Sequence, residues 1–300
     1  MVAQEKIDLL RRKIEEADAI VVGGASGMSA ASGFKFYYQD DEVYRMIAGS
    51  LADKYKVYNF FDAFYCPKMT SGEKWALMLR LNKYIYDCYT GENYKDLAEL
   101  LEGKNYYIAT TNQDTQFYRV FPADKVTPIQ GDWRYWQCDE PCHDKVYYNK
   151  EKVFELVNYI ENDRLPNKFI PRCPHCGGEM APWVRSYTFL QGSFYRKELK
   201  RYTDFLQKNS RKKTLFLELG VGMMTPMFIK EPFMNMVYQW PNAFYVTINP
   251  QHAYIPKEIA KKSLAIEEDI ALTLKQLLGK PTDKLEPFDR KNIFNPSRVY

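Results

Sequence analysis

The sequence predicts an α/β fold built on a doubly wound parallel sheet of about six strands, with a helical insertion and a smaller metal-binding module. Two observations lead to this prediction. Short apolar, β-prone runs recur along the chain and are mostly separated by stretches long enough for helices, which is typical of buried parallel strands. Two other stretches interrupt that alternation, and one of them carries both close pairs of cysteines. At 300 residues the chain is long enough for a two-part protein with a substantial core.

The first segment places Ile7, Leu10, Ile14 and Ala17 at helical intervals, which predicts a helix before the first strand. The six candidate strands are Ala19–Val22, Tyr106–Thr110, Val126–Ile129, Leu215–Leu219, Phe244–Ile248 and Leu264–Ile266. In a doubly wound sheet the ligand lies beyond the carboxyl ends of the strands. The loops that follow these runs are therefore the expected positions of a binding site.

The interruptions define the expected domains. Residues 34–90 contain no convincing strand and many aromatics, with a helix predicted over Glu73–Tyr89, so they indicate a helical insertion or lid. Residues 133–190 enclose a helix-like pattern between the two cysteine pairs. The predicted division assigns residues 1–33, 91–132 and 191–300 to the sheet domain, residues 34–90 to the insertion and residues 133–190 to the metal module.

Composition excludes some classes of function. Lys and Arg number 42 against 38 Asp and Glu, and no basic tract is interleaved with stacking aromatics, so a nucleic-acid partner is not expected. No apolar run approaches the ~20 residues that cross a bilayer, so no membrane partner is expected. The charged amino-terminal segment lacks the apolar core of a secretion signal. These features predict a cytoplasmic protein.

The cysteine spacing is the most specific pattern. Cys138-x3-Cys142 and Cys173-x2-Cys176 can each present two thiolates from a tight turn to one tetrahedral Zn²⁺. Four thiolates leave no open position for water, so such a zinc is structural. The alternatives are chance clustering, or replacement of one cysteine by His143 or His175.

Three polar or glycine-rich segments follow the first three strands. After the first strand come small residues that let a backbone approach a pyrophosphate and expose amides to it; the candidates are Ala25, Ser26, Gly27, Ser29 and Gly33. Thr110–Asp114 follows the second strand and Ile129–Asp132 the third. Taken singly, each segment also has a simpler explanation: the first could be a ligand-free turn, the second a helix cap and the third an ordinary turn.

In this order, followed by four cysteines, the segments resemble those of the sirtuin family. The family's glycine-rich loop corresponds to Ala25–Gly33, its Thr-Gln-Asn-x-Asp segment to Thr110-Thr111-Asn112-Gln113-Asp114, and its catalytic His-Gly pair to Gln130-Gly131. The resemblance covers nearly the whole chain. It implies a Rossmann-like NAD-binding domain, a zinc-ribbon small domain, and further cofactor contacts at Thr111, Gln113, Gly220, Val221, Gly222, Asn249 and Asp269.

Departures from the family pattern bear on the reaction. Phe34–Tyr38 replaces the family's Ile-Pro-Asp-Phe-Arg, and Gln130 stands where the family has its catalytic histidine. Loss of a general base typically costs ~10²–10⁴-fold, so efficient deacetylation is not expected. Cleavage of the nicotinamide–ribose bond needs orientation and charge stabilisation more than proton removal, and Asn112 and Asp114 are retained for it.

Two more residues are candidates for the transfer step. Asp132 is expected either to orient or deprotonate an acceptor or to be a solvated turn residue. Arg185 occupies the position of the family's second tunnel valine, where it would either bind an anionic acceptor or cofactor phosphate, or form a surface salt bridge.

This combination looks like the macrodomain-linked (class M) sirtuins. That resemblance implies an NAD-dependent protein ADP-ribosyltransferase whose acceptor is a lipoylated carrier related to glycine-cleavage H protein, with a macrodomain hydrolase and a lipoate ligase encoded nearby. The alternatives are a weak NAD-dependent protein-lysine deacylase and a non-catalytic sensor of NAD or ADP-ribose.

Overall fold

The computed structural model describes residues 1–282, and they form two compact units. The first comprises residues 1–33, 90–131 and 195–282, and the second comprises residues 34–89 and 132–194. Residues 283–300 of the predicted sheet domain lie outside the described residues. That each unit is a domain in the sense predicted from the sequence stays a prediction.

The helices and strands are numbered in chain order. The helices are α1 Gln4–Glu16, α2 Ser26–Ala30, α3 Glu42–Ala48, α4 Leu51–Tyr55, α5 Phe60–Phe64, α6 Ser71–Asp87, α7 Glu92–Leu100, α8 Phe117–Val120, α9 Lys150–Leu156, α10 Ser193–Asn209, α11 Lys230–Gln239 and α12 Ile270–Leu277. The strands are β1 Ala19–Gly24, β2 Tyr106–Thr110, β3 Val126–Pro128, β4 Gly131–Cys138, β5 Tyr147–Tyr148, β6 Met180–Val184, β7 Thr214–Leu219, β8 Ala243–Ile248 and β9 Ser263–Ile266.

The first unit is built on a six-stranded sheet in the order β3-β2-β1-β7-β8-β9, with every pair of neighbours parallel. The predicted α/β fold is therefore confirmed, and all six predicted runs are strands of this sheet. The order reverses direction between β1 and β7, which are direct neighbours. In a doubly wound sheet such a reversal opens a crevice at the carboxyl ends of the two strands. The loops after β1 and β7 flank that crevice.

The strands are largely apolar because both faces of the sheet are covered. Ile20, Val22 and Leu217 belong to one buried cluster, which includes residues of α1, α7 and α12. Val21 and Phe216, which alternate with them, belong to a second buried cluster with residues of α10 and α11. Successive side chains of a strand point to opposite faces, so two-sided burial removes the polar positions that mark a half-exposed strand.

The second unit contains α3 to α6, α9 and a three-stranded sheet in the order β5-β4-β6. Its longest helix, α6, matches the helix predicted over Glu73–Tyr89. Thr70 and Glu73 form a reciprocal capping box at the amino end of α6, which satisfies two backbone amides that the helix cannot pair internally. The sequence did not predict β4, β5 and β6. Gln130 lies in a turn as expected, but Gly131 and Asp132 already begin β4.

No helix within residues 1–282 is long and apolar enough to cross a membrane.

Candidate functional site

The loops after β1 and β7 touch backbone to backbone. The Gly27 amide donates to the Gly220 carbonyl at 3.1 Å. A β-carbon on Gly27 would lie 2.6 Å from the Gly220 Cα, and Gly220 has a φ of +71°. Both positions therefore require glycine. This contact brings the predicted cofactor residues Ala25, Ser26 and Gly27 next to Gly220 at the switch point of the sheet.

The helix within the first loop is short. α2 spans five residues, and its N-cap, Ala25, makes no side-chain capping bond. A single helical turn carries a weak dipole, so the amino terminus of α2 attracts an anion less strongly than the sequence led us to expect. Close backbone approach is the stronger reason for assigning this loop to an anionic ligand.

A buried polar network ties the first loop to the segment after β2. The Ser29 hydroxyl donates to the Asp114 carboxylate and lies 3.2 Å from the Tyr94 hydroxyl. Asn112 donates through Nδ2 to the Ala25 carbonyl at 2.8 Å and to the Tyr94 hydroxyl at 3.3 Å. The predicted residues Ala25, Ser29, Asn112 and Asp114 thus belong to one hydrogen-bonded cluster in the first unit.

Asp114 is almost completely buried, at 3% exposure. Burial raises the pKa of its carboxyl group, and hydrogen bonds from the Ser29 hydroxyl and the Gln116 amide oppose that rise. The Gln116 amide donates to Oδ1 at 3.2 Å. The contacts assign Asp114 a positioning role towards Ser29, and its predicted catalytic role stays a prediction.

The Gln130 backbone is fixed by its neighbours. Gln113 donates through Nε2 to the Gln130 carbonyl at 3.0 Å, and the Tyr195 hydroxyl donates to the Ile129 carbonyl at 3.3 Å. The Thr111 amide donates to the Gly24 carbonyl at 3.1 Å, which joins the end of β2 to β1. The half-buried Gln130 side chain therefore projects from a constrained turn after β3.

The remaining predicted cofactor residues lie in the loops after β7, β8 and β9. Asn249 follows β8 and donates through Nδ2 to the Val221 carbonyl at 3.1 Å, which places it against the loop Gly220–Gly222. Asp269 caps α12, accepting from the Leu272 amide at 3.0 Å. Gly33 has a φ of +87° and ends the first loop. Their contacts with a cofactor stay predictions.

Two residues of this region were not predicted from the sequence. Tyr94, fully buried on α7, lies between Ser29 and Asn112. Asn93 donates through Nδ2 to the Met28 carbonyl at 2.8 Å and accepts from the Ser32 hydroxyl. A cluster of polar residues directly after Gly91 was the available sign in the sequence.

Asp132, in the second unit, differs from one of the two expectations. It lies in β4 at 2% exposure, so it is not a solvated turn residue. Its two carboxylate oxygens accept from Nε of Arg134 at 3.0 and 2.9 Å, and Oδ1 also accepts from the Arg134 amide at 2.8 Å. Residues two apart on a strand point to the same side, which explains the pairing. Both oxygens are engaged by a cation, so the geometry favours a structural role over proton transfer.

Arg185 follows β6 in the second unit. Its guanidinium lies 4.6 Å from the centroid of the Phe189 ring, within the range of a cation–π interaction. Stacking of this kind favours one orientation of the planar guanidinium. Neither predicted role, anion binding or a surface salt bridge, is decided by this contact.

The four cysteines of the second unit form one cluster. Their Sγ atoms all lie within 4.8 Å of one another, with Cys138 and Cys176 at 3.6 Å and Cys142 and Cys173 at 3.6 Å. A tetrahedral zinc with Zn–S bonds of about 2.3 Å requires sulfur–sulfur distances of about 3.8 Å. The cluster therefore fits a closed structural Zn²⁺ site.

The second cysteine pair lies on a tight turn. The Gly177 amide donates to the Cys173 carbonyl at 2.8 Å, Gly177 has a φ of +72°, and the Gly178 amide donates to the Cys176 sulfur at 3.4 Å. His143 and His175 stack beside the cluster with centroids 5.1 Å apart. His143 Nε2 lies 2.8 Å from the Tyr147 hydroxyl. Cys142, His143 and His175 also lie close enough together to hold a metal ion, so the four cysteines stay the predicted ligand set.

Comparison with known proteins agrees with this geometry. No family model matches the chain. A protein ADP-ribosyltransferase from Staphylococcus aureus is 33% identical over 271 residues, which cover 89% of this chain and 85% of that protein. A probable bifunctional ADP-ribose hydrolase/ADP-ribosyltransferase from Fusarium oxysporum f. sp. cubense is 26% identical over 245 residues, which cover 78% of this chain and 40% of that protein.

The fold is also that of solved sirtuins. A crystal structure of a Sir2 homologue in complex with NAD matches with a TM-score of 0.54 at 16% sequence identity, covering 91% of this chain and 92% of that one. The chain therefore belongs to the family of sirtuin-type protein ADP-ribosyltransferases.

Proposed function

We propose that the protein transfers ADP-ribose from NAD to an acceptor on a carrier protein and releases nicotinamide. The observation that carries this proposal is Gln130, which follows β3 on a fixed backbone and has no usable basicity near neutral pH. The nearby Asp132 is engaged on both oxygens by Arg134 and does not replace the missing base. The name of the Staphylococcus aureus relative supports the same reaction.

NAD is the ADP-ribosyl donor in this proposal. The glycine contact between Gly27 and Gly220 gives its pyrophosphate a close approach to backbone, and Ser26, Val221 and Gly222 lie in the same two loops. Thr111, Gln113, Asn249 and Asp269 supply the further contacts that the family resemblance implies. The Sir2 homologue of the same fold was crystallised with NAD, which supports this assignment.

Asn112 and Gln130 are proposed to act on the reacting part of NAD, and Asp114 to act through Ser29. Asn112 is anchored by hydrogen bonds from Nδ2 to the Ala25 carbonyl and the Tyr94 hydroxyl, so its carboxamide oxygen has a fixed direction. Asp114 holds Ser29 in place, and Gln130 orients the sugar without removing a proton. A prearranged polar site of this kind stabilises charge that develops on the sugar as the glycosidic bond breaks.

Zn²⁺, bound by Cys138, Cys142, Cys173 and Cys176, supplies structural stability in this proposal and takes no part in the reaction. Arg185 is proposed to receive an anionic group of the acceptor or the cofactor, because a guanidinium forms strong charge-assisted hydrogen bonds with carboxylates and phosphates. A cytoplasmic location is part of the proposal, because free thiols persist in that compartment.

We further propose a lipoylated glycine-cleavage-H-like carrier as the acceptor, on the family resemblance. A macrodomain hydrolase and a lipoate ligase encoded nearby belong to the same hypothesis. The Fusarium relative supports the link to a hydrolase, because its name joins ADP-ribose hydrolase and ADP-ribosyltransferase in one chain.

The test is incubation of the purified protein with NAD and the carrier in lipoylated and unmodified forms. We expect nicotinamide release together with a mass increase of one ADP-ribose on the lipoylated carrier. Deacylation of acyl-lysine peptides without labelling of the carrier would instead establish the deacylase. NAD binding without nicotinamide release in any mixture would establish the sensor.

A further inference from the structure

A buried ion pair in the first unit has no place in the proposed reaction. Lys230 Nζ lies 2.6 Å from Oε1 of Glu218, and their side chains are 3% and 0% exposed. The Thr247 hydroxyl donates to the same oxygen at 3.0 Å, and the Tyr245 hydroxyl donates to the other. Replacing a buried pair by apolar residues is often neutral or stabilising. Stability of the fold is therefore a weak explanation for these charges.

The lysine also reaches the loop after β8. Its Nζ donates to the His252 carbonyl at 3.1 Å. From within the same turn, Oδ1 of Asn249 accepts from the amides of Gln251 at 2.9 Å and His252 at 3.0 Å. Lys230 thus holds the turn through the His252 carbonyl, and Asn249 holds it through the Gln251 and His252 amides.

The opposite end of Asn249 contacts the loop after β7. Its Nδ2 donates to the Val221 carbonyl at 3.1 Å. Glu218 belongs to β7 and lies two residues before Gly220, and Thr247 belongs to β8. Glu218 therefore holds the Lys230 ammonium at β7. Through the turn that contains Asn249 and His252, the ammonium also links the loop after β8 to the loop after β7.

We propose that Lys230, held by Glu218, is a positioning residue for NAD: it fixes the turn 249–252 and through it the directions of the Asn249 carboxamide and the Val221 backbone. This inference rests on the proposed function, in which Asn249 and Val221 contact NAD. Lys230 acts through the His252 carbonyl and touches no reacting atom. A site ordered before binding avoids the entropy of ordering the loop when the ligand arrives.

The test compares Lys230→Met with Lys280→Met. The first removes the donor to His252 but keeps a side chain of similar length, and Glu218, whose pKa burial raises, can take up a proton in compensation. The second removes ion pairs with Asp96 at 2.7 Å and Glu99 at 2.6 Å in the same unit, and both partners belong to α7 and not to the turn. For Lys230→Met we expect the KM and Kd for NAD to rise about tenfold, as expected when a pre-formed site becomes disordered. We expect kcat to change less than about twofold, because the reacting end is untouched.

A second readout needs no cofactor. Hydrogen exchange of the backbone amides of residues 249–254 should be faster in Lys230→Met than in the wild type and in Lys280→Met, because local opening exposes them. If Lys230→Met does not fold, the double variant Lys230→Met/Glu218→Leu removes both buried charges and leaves the His252 carbonyl equally unsupported. It should show the same two effects.

Wild-type NAD affinity and wild-type exchange in the folded variants would overturn the inference and leave the proposed function standing. Failure of the wild-type protein to bind NAD would instead overturn the proposed function, and with it the positioning role in NAD binding.

Discussion

Gly27 after β1 and Gly220 after β7 are in direct backbone contact. The Gly27 amide donates to the Gly220 carbonyl at 3.1 Å, and a β-carbon on Gly220 would lie 2.5 Å from the Gly27 Cα. Because β1 and β7 are the strands at which the sheet order reverses, this contact sets the spacing of the two loops that flank the ligand crevice. A side chain at either glycine should therefore disturb both the fold and the binding of NAD.

Gly220→Ala should destabilise the protein by about 1–3 kcal/mol, because the substitution combines positive φ with a backbone clash. The Kd for NAD should rise at least tenfold as the loops separate, since about 1.4 kcal/mol corresponds to tenfold. Thermal unfolding and calorimetric titration with NAD measure the two effects. Gly222→Ala is the control for stability, because a β-carbon added there would meet nothing within 4 Å. An unchanged melting temperature in Gly220→Ala would contradict the contact.

Gln130→His should increase deacylation of acyl-lysine peptides by about tenfold or more, because a positioned general base is worth ~10²–10⁴-fold. The gain should appear above about pH 6.5, where an unperturbed imidazole is neutral and can accept a proton. Gln130→Asn keeps a neutral carboxamide and is the control. Equal rates for the two variants would show that Arg185 or the loop Phe34–Tyr38, and not the missing base, limits deacylation.

Asp132→Asn should lower stability by about 2 kcal/mol or more, because it leaves the Arg134 guanidinium without its buried carboxylate partner. The double variant Asp132→Asn/Arg134→Met should recover part of that loss, since no unpaired charge remains. Urea unfolding measures the coupling, and the rate of nicotinamide release measures activity. Loss of activity at unchanged stability in Asp132→Asn would contradict the structural role and restore Asp132 as a base.

Cys176→Ser should abolish stoichiometric zinc binding and cause the second unit to lose its fold, because binding of structural zinc contributes on the order of 10 kcal/mol to small metal modules. Metal analysis of the purified protein and limited proteolysis are the measurements. Cys66→Ala changes a buried cysteine outside the cluster and should retain one zinc per chain. Zinc retained in Cys176→Ser would favour His143 or His175 as a replacement ligand.

The buried Asp114 should make stability depend on pH in a defined direction. Burial raises the pKa of its carboxyl group in the folded protein, above the unfolded value of about 3.9. The folded state therefore binds the proton more tightly, and the stability it contributes is present below that unfolded value and lost as pH rises through the folded pKa.

Between the unfolded and the folded pKa of Asp114, the wild type should lose stability with rising pH relative to Asp114→Asn. Above the folded pKa, the stabilities of the two proteins should change with pH in the same way. Melting temperatures of both proteins against pH test this. Ser29→Ala removes a hydrogen bond that lowers the pKa of Asp114. In this variant, the pH range over which stability is lost should therefore extend to higher pH. A wild type that gains stability over the same window would reverse the sign of the shift.

The sheet of the first unit was predictable because strands that are buried on both faces appear in the sequence as short runs of mostly apolar residues. In β1 all six residues are buried and none is polar, and β7 and β8 are mostly apolar, with Glu218 and Thr247 among their buried polar exceptions. By contrast β4 mixes charged, aromatic and small residues, and it is a strand because β5 and β6 flank it. Missing β4 also hid the Asp132–Arg134 pair, whose i and i+2 spacing places both side chains on one side only in a strand.

The sequence by itself determined the parallel sheet and the paired spacing of the four cysteines, because each is local in composition or spacing, and the family resemblance identified Gln130 as the replacement of a histidine. Tertiary structure alone decided that Tyr94 joins Ser29 to Asn112, that Gly27 meets Gly220, and that Lys230 reaches the His252 carbonyl. These partners are far apart in the chain, and their contacts depend on how helices pack on the sheet. Burial makes such polar contacts electrostatically stronger, and burial is itself a result of that packing.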